Sequence, residues 1–531
     1  MTDVMAQTPP ILHGPSEKER KYDRQLRLWA AQGQAALESA NILLVNSGCG
    51  TVGVETLKNL VLPGIGRFTI ADQATVRHED LGVNFFLDQA SLGQSRAECC
   101  TEFLIELNPE VQGDWFPKSQ GQNLEELLNN SPPYTMILYT LPLPRDQVQL
   151  LHDYAHQRHT PVLAVHSVGF YSYFKTTLPG TFPVVDTHPD ETATTDLRLL
   201  APWPELIDFA REMTKDIDNL DNHEHGHLPL VVVLLHYLDQ WQQSHDGAYP
   251  VKYADKTAFR KTVSDAMRRD NPEGGEENFE EAVAAVMKHI IVPSIPDTLQ
   301  QVFDYKHQNP NEAKSSFWII ADAIKQFYAE QGRLPVPGSL PDMKAQSSVY
   351  IKLQNIYKEK ARQDVAQILN VVRAVPGGDD IDPDAVELFC KNARFIKLIN
   401  SSGENAVNLG QVVDQQLAND EIAAVAGPEM PLSLLPIYLA LAATSHVTTS
   451  SAEDIIESIR SQVPQIGQNE RFTNTAHEVS RAAGGELHNI SAVTGGMVAQ
   501  EMIKIITKQY VPIDNTCIFD GIESRCQVLR L

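Results

Sequence analysis

Two kinds of pattern divide this chain. From Ile42 the apolar run Ile42-Leu43-Leu44-Val45 is followed by the turn Gly48 to Gly53, by Val54 to Leu62 with apolar residues at helical spacing, and by the run Arg67 to Ala71. Strand, glycine turn, helix and strand in that order predict a βαβ unit with a right-handed crossover, the start of a parallel sheet. Apolar runs at Thr135 to Tyr139 and Pro161 to Val165, with the helical pattern Val148 to His156 between them, continue the alternation.

The character changes near residue 180, where PGTFPVVDTHPDE reads as loop and the chain beyond it is mainly helical. Leu228 to Trp241, Glu277 to Ile290, Ser316 to Gln331 and a long segment from about 346 to 372 carry apolar residues with a helical period. In the last of these, Leu353, Ile356, Tyr357, Ala361, Val365, Ile368, Leu369 and Val372 fall on one face. Near Ser491 a glycine-containing turn, a helix over Met497 to Thr507 and a short strand over Thr516 to Phe519 return to the first pattern. The pattern predicts a flexible lead over 1–20, an α/β domain begun over 21–180 and completed over 481–531, and a mainly helical domain inserted over 181–480.

A length of 531 residues, more than one core usually organises, agrees with that division. With 42% hydrophobic and 21% charged residues the composition is that of a folded globular protein. The net charge of -25, with no basic stripe to offset it, opposes binding to a phosphate backbone, so no nucleic-acid partner is expected. The apolar stretch Leu228 to Leu238 is too short to span a membrane, and MTDVMAQTPPILHGPSEKER lacks the pattern of a secretory signal. The expectation is residence in the cytosol or nucleus without a membrane partner.

The six cysteines, Cys49, Cys99, Cys100, Cys390, Cys517 and Cys526, form no C-x-x-C pair, which argues against a disulfide scaffold or a zinc knuckle. His223, His225 and His227 in NHEHGH are metal ligands by residue type. No cysteine or carboxylate set completes a ligand pattern around them, a loop leading into the next helix accounts for them, and no metal site is expected.

Gly48-Cys49-Gly50-Thr51-Val52-Gly53 is a G-x-G-x-x-G between a strand and a helix. In that context the bare backbone approaches phosphates at the helix N-terminus, where amides and the helix dipole favour negative charge. Asp72 ends the next strand, where a carboxylate binds a ribose hydroxyl. On these residues alone a nicotinamide enzyme, an ATP enzyme and a purely structural packing of glycines read alike.

The surrounding segments carry more. Lys21-Tyr22-Asp23-Arg24-Gln25-Leu26, LVLPGIGRFTIAD and NFFLDQASLGQSRAE, with His488-Asn489-Ile490-Ser491-Ala492-Val493, Gly495-Gly496 and AQEMIKIITKQYVP at the far end, together resemble the ubiquitin-activating enzyme superfamily. That superfamily includes bacterial enzymes that adenylate sulfur-carrier proteins. The inserted segments HPDETATTDLRL, EENFEEAV, SSFWIIADAIKQF and YIKLQNIYKEKA resemble the regulatory subunits of neddylation-activating enzymes, and the likeness covers nearly all of 21–531. The resemblance implies an α/β, Rossmann-like adenylation fold of ThiF/MoeB type, with a large mainly helical insertion that is the counterpart of a catalytic-cysteine domain. It implies a heterodimer with a separate catalytic subunit, a ubiquitin-like modifier as the protein acted on, and a conjugating enzyme as an indirect partner. ATP and magnesium would be bound mainly by the catalytic subunit.

Set against the superfamily's active pattern, this half reads as pseudo-active. Gly48, Gly50, Gly53 and Asp72 keep the nucleotide positions, in use or vestigial. The N-R-Q-F segment is here Asn84-Phe85-Phe86-Leu87, without its phosphate-binding Arg, and the Lys of G-x-x-K-A is Arg96. The magnesium-binding Asp has no counterpart in Thr140-Leu141-Pro142-Leu143, and phosphate transfer needs that carboxylate to hold the metal. Cys390, in Val386-Glu387-Leu388-Phe389-Cys390, reads as a small apolar residue on a helix and not as a thioester nucleophile.

The resemblance gives Arg24 the one catalytic role, reaching in trans to the nucleotide on the other half; from the residues alone it reads as a surface position, like Arg27. Tyr350, Ile351 and Leu353 are the candidate partner contacts, Ile351 lying off the apolar stripe of its helix. Two other functions stand beside this one: a stand-alone adenylating enzyme of sulfur-carrier type, disfavoured by the missing Asp and Arg and the long insertion, and an NAD-dependent oxidoreductase, supported only by the glycines and Asp72.

Overall fold

In the computed structural model, which describes residues 14–190, 195–269, 275–307, 312–400, 408–427, 430–447 and 450–531, the continuous apolar runs are interior strands. The ten strands among the described residues are β1 (Asn41–Val45), β2 (Arg67–Ala71), β3 (Gln112–Phe116), β4 (Met136–Thr140), β5 (Val162–Val168), β6 (Tyr171–Thr177), β7 (Thr181–Val185), β8 (Ile396–Asn400), β9 (Thr516–Asp520) and β10 (Arg525–Leu529). Every residue of β1, β4 and β5 is buried, because a parallel sheet covered on both faces leaves no strand a wet side.

An eight-stranded sheet runs in the order β10-β9-β6-β5-β4-β1-β2-β3. Strands β5, β4, β1, β2 and β3 are parallel. Strands β6, β9 and β10 extend it antiparallel, with Phe174 opposite Cys517, so the far end of the chain completes the sheet. The order reverses at β1, which pairs with β2 on one side and β4 on the other; the carboxyl ends of these strands open the crevice where ligands bind in open α/β sheets.

Two compact units result: residues 1–182 with 399–531, and residues 183–398. The expectation of a helical insertion over 181–480 is corrected at its end. Helices Leu435–Ala443, Ala452–Gln462 and Glu470–Ala482 bury Leu439, Ile459 and Phe472 in one core with Leu43, Tyr173 and Ile518 of the sheet. Their apolar positions needed a face to cover, and this part of the sheet supplies it.

Two further expectations change. The turn expected near Ser491 is the body of a helix, His488–Thr507, and Gly495 lies inside it. Of the lead assigned to 1–20, residues 1–13 lie outside the described residues. Glu17–Lys21 is a helix whose capping box joins Ser16 to Glu19, which satisfies amides that a helix start leaves free.

The second unit holds two cores bridged by the 27-residue helix Ser347–Arg373. Its first half gives Val349, Leu353 and Tyr357 to one core, and its second half gives Ile368 and Val372 to the other. Tyr357 donates to the Leu197 carbonyl at 2.6 Å and meets Trp203 edge-on, satisfying a hydroxyl that burial would otherwise leave unpaired.

Candidate functional site

The glycine turn follows β1, and the fold accounts for each of its glycines. Gly48 and Gly50 have φ of +60° and +66°, the left-handed region that an L side chain adopts at a cost. A Cβ on Gly53 would meet Asn46 Oδ1 at 2.7 Å and Leu44 and Thr140 carbons at 2.9 Å, so this residue lets the helix Thr51–Val61 lie close on the sheet. The crevice beside the turn encloses about 660 Å³, with Ser47, Gly48, Asp72, Arg96, Pro142 and Gly484 in its lining.

Asp72, which should face a ribose, is already engaged. Its Oδ2 accepts from Arg96 Nε at 2.7 Å and from Asn46 Nδ2 at 3.0 Å, and its Oδ1 accepts from the Ala74 amide at 2.9 Å. Arg96 also donates to the Cys49 carbonyl at 3.1 Å and to Asp80 at 3.4 Å. Burial alone would lower the Arg96 pKa; the Asp72 and Asp80 carboxylates outweigh it and hold the guanidinium charged. The cation that replaces the superfamily's lysine is thus consumed by internal carboxylates.

A carboxylate that the sequence reading did not single out sits at the helix start. Glu486 Oε2 accepts from the Val52 amide at 2.8 Å and from Ser491 Oγ at 2.5 Å. Gly50, the N-cap, has no side chain with which to do this. The only local signal is a Glu beside two glycines, Gly484-Gly485-Glu486, 434 residues from Val52.

The remaining nucleotide positions do not assemble. After β4, Leu141 and Leu143 are buried and Thr140 Oγ1 accepts from the Ser47 amide, so among the described residues no carboxylate follows β4 at the magnesium position. Phe85, in the place of the superfamily's Arg, is 69% exposed and stacks on His488 at 3.8 Å, outside the crevice lining. The residues present do not fit a magnesium–nucleotide group.

Burial raises the pKa of all six thiols above the ordinary cysteine value, Cys390 among the most strongly, which leaves none of them activated as a nucleophile. His225, one of the three histidines weighed as ligands, is buried against Glu276 at 2.7 Å and stacked on Phe279. Its short helix, Asn222–His225, replaces the expected loop.

Arg24 is exposed and makes no ion pair among the described residues, whereas its neighbour Arg27 pairs with Asp23 at 3.0 Å. The helix Asp23–Glu38 that carries it breaks at Trp29 and Ala30, where φ is -126° and +56°. The buried Tyr22 anchors its start by donating to Glu110 at 3.1 Å. In the second unit, Ile351 is 54% exposed, Tyr350 is half-buried and Leu353 is fully buried. Leu353 is therefore corrected from a partner contact to a core residue, since two residues along a helix turn through about 200° and so separate a wet from a dry position.

The ThiF family model matches residues 22–531. The NEDD8-activating enzyme E1 regulatory subunit of Gallus gallus is 35% identical, over 97% of this chain and 99% of that protein. The Nedd8-activating enzyme E1 regulatory subunit of Drosophila melanogaster is 36% identical, over 97% and 98%. The crystal structure of E. coli MccB with ATP matches 33% of this chain and 53% of its own, at 17% identity and a TM-score of 0.28. This chain belongs to the ThiF family and, within it, to the NEDD8-activating enzyme E1 regulatory subunits.

Proposed function

We propose that this chain pairs with a separate catalytic subunit to activate a ubiquitin-like modifier of the NEDD8 type. In the assembled enzyme the modifier's C-terminal carboxylate attacks the α-phosphorus of ATP and pyrophosphate leaves. A thiolate of the catalytic subunit then takes the acyl group and AMP is released. ATP and magnesium are held by the catalytic subunit, and this chain contributes Arg24 in trans, a permanently charged fork suited to phosphate oxygens.

The observation that carries this reading is the Arg96–Asp72 pair. A half that has joined its ribose carboxylate to its phosphate cation, and has no carboxylate for the metal, depends on another chain for the chemistry. ATP–pyrophosphate exchange and thioester formation are to be measured for the chain alone, the catalytic subunit alone and the two together. Activity only in the mixture supports the proposal; exchange by the isolated chain above a protein-free blank overturns it.

A further inference from the structure

On the proposed function the missing metal ligand keeps this half from transferring an adenylyl group, but it leaves open why the retained glycine turn should not bind a nucleotide. Gly48 and Cys49 of the turn line the crevice, and the turn leads into the start of an 11-residue helix, whose first amides attract anions. The Val52 amide among them is not vacant. Glu486 is 7% exposed, its Oε2 accepts the Val52 amide at 2.8 Å, and Ser491 Oγ fixes the same oxygen at 2.5 Å.

Its backbone is held too: Glu486 forms an isolated bridge with Gly169, and the Gly169 amide donates to the Gly485 carbonyl at 2.8 Å. Gly169 directly follows β5, so the carboxylate is aimed from the sheet's own frame and not from a loose loop. A phosphate entering the crevice would also meet the Asp72 and Asp80 carboxylates that line it, whose common cation, Arg96, is spent on them.

We infer that Glu486 is a built-in acceptor that takes the Val52 amide a phosphate would need at this chain's glycine turn, so that nucleotide is excluded here by the protein's own carboxyl group. The inference rests on the proposed division of labour, in which the other half holds ATP, and names the residue that enforces it. It also gives the contact a structural consequence: the start of the glycine-turn helix and the segment leading into helix His488–Thr507 are joined by the group a ligand would displace.

The test uses the full chain without a catalytic subunit, so its outcome does not depend on whether the heterodimer is active. Inorganic pyrophosphate, without magnesium, is titrated into wild type, Glu486→Ala and the near-isosteric Glu486→Gln, followed by calorimetry and by hydrogen exchange over residues 48–56. The expected result is no detectable binding by wild type, at least tenfold tighter binding by Glu486→Ala, and a slowing of exchange confined to 48–56. Glu486→Gln, which removes the acidic group but keeps the shape, should bind several-fold more tightly than wild type, and it carries the test alone should the alanine variant not fold. Equal affinities in wild type and the folded variants, protection elsewhere than 48–56, or wild-type binding with protection there would each overturn the inference.

Discussion

Arg96 Nε lies 2.7 Å from Asp72 Oδ2, with side-chain exposures of 4% and 2%. Two charges this far from water hold their place only as a pair, and removing one leaves the other buried and uncompensated. Arg96→Ala should therefore lower the stability of the α/β unit by about 3 to 5 kcal/mol, read as a shift of the denaturant midpoint. Arg96→Ala combined with Asp72→Ala should cost less than the sum of the single changes. Additive losses would mean that the two side chains do not act as a pair.

Arg24 differs from Arg96 in having no ion-pair partner among the described residues. In an assembled heterodimer Arg24→Ala should slow adenylation of the modifier by about tenfold to a thousandfold while assembly is unchanged, the range for loss of one preorganised contact to developing charge. Arg24→Lys should recover part of the rate, because a point charge lacks the planar fork. An unchanged rate in an intact complex would reduce this chain to a structural partner.

Adjacent glycines in helix His488–Thr507 should respond with opposite sign. A Cβ on Gly495 would meet Glu55 Cβ and the Thr56 amide nitrogen at 2.9 Å, whereas one on Gly496 meets nothing within 4 Å. Gly495→Ala should destabilise by about 1 to 3 kcal/mol, by forcing apart two helices in contact. Gly496→Ala should stabilise the isolated chain by about 0.5 to 1 kcal/mol, through helix propensity and a less flexible unfolded state. Thermal melting of the two variants beside wild type decides it; shifts of the same sign would contradict the close helix approach at Gly495.

His166 in β5 is fully buried beside Tyr173, and burial lowers its pKa from 6.5 to about 4. The unfolded chain takes up a proton below pH 6.5 that the folded chain refuses, so this residue's contribution to stability is lost as pH falls from 6.5 toward 4. The loss approaches about 3 kcal/mol. His166→Phe should flatten the acid limb of the stability profile by that amount, and a limb unchanged in the variant would show that His166 is not its source.

Much of the fold was legible because local periodicity records burial. The expected helix Ser316–Gln331 matches the structure to the residue, and the βαβ unit around Gly48 to Gly53 lies where the apolar runs placed it. Strands that sit at edges or mix polar residues into their pattern were not legible. β3, Gln112–Phe116, leaves Gln112 and Asp114 exposed, and β6, Tyr171–Thr177, carries Ser172, Lys175 and Thr176, so neither reads as a continuous apolar run. Within one helix the period itself separates Leu353, on the apolar stripe, from Ile351, off it, and packing follows the period and not the naming of both as partner contacts.

By itself the sequence determined the family, the alternation of strand and helix, and the loss of the metal carboxylate, because each is written in residue identity or in spacing along a short stretch. Only the tertiary structure decided that the helices over 435–482 belong to the sheet, that Arg96 is spent on Asp72, and that Glu486 occupies the amide of Val52. Those facts are contacts between residues tens to hundreds of positions apart. Their energy comes from excluding water around paired charges and covered faces, and a contact of that kind leaves no period in the chain for a reader of the sequence to find.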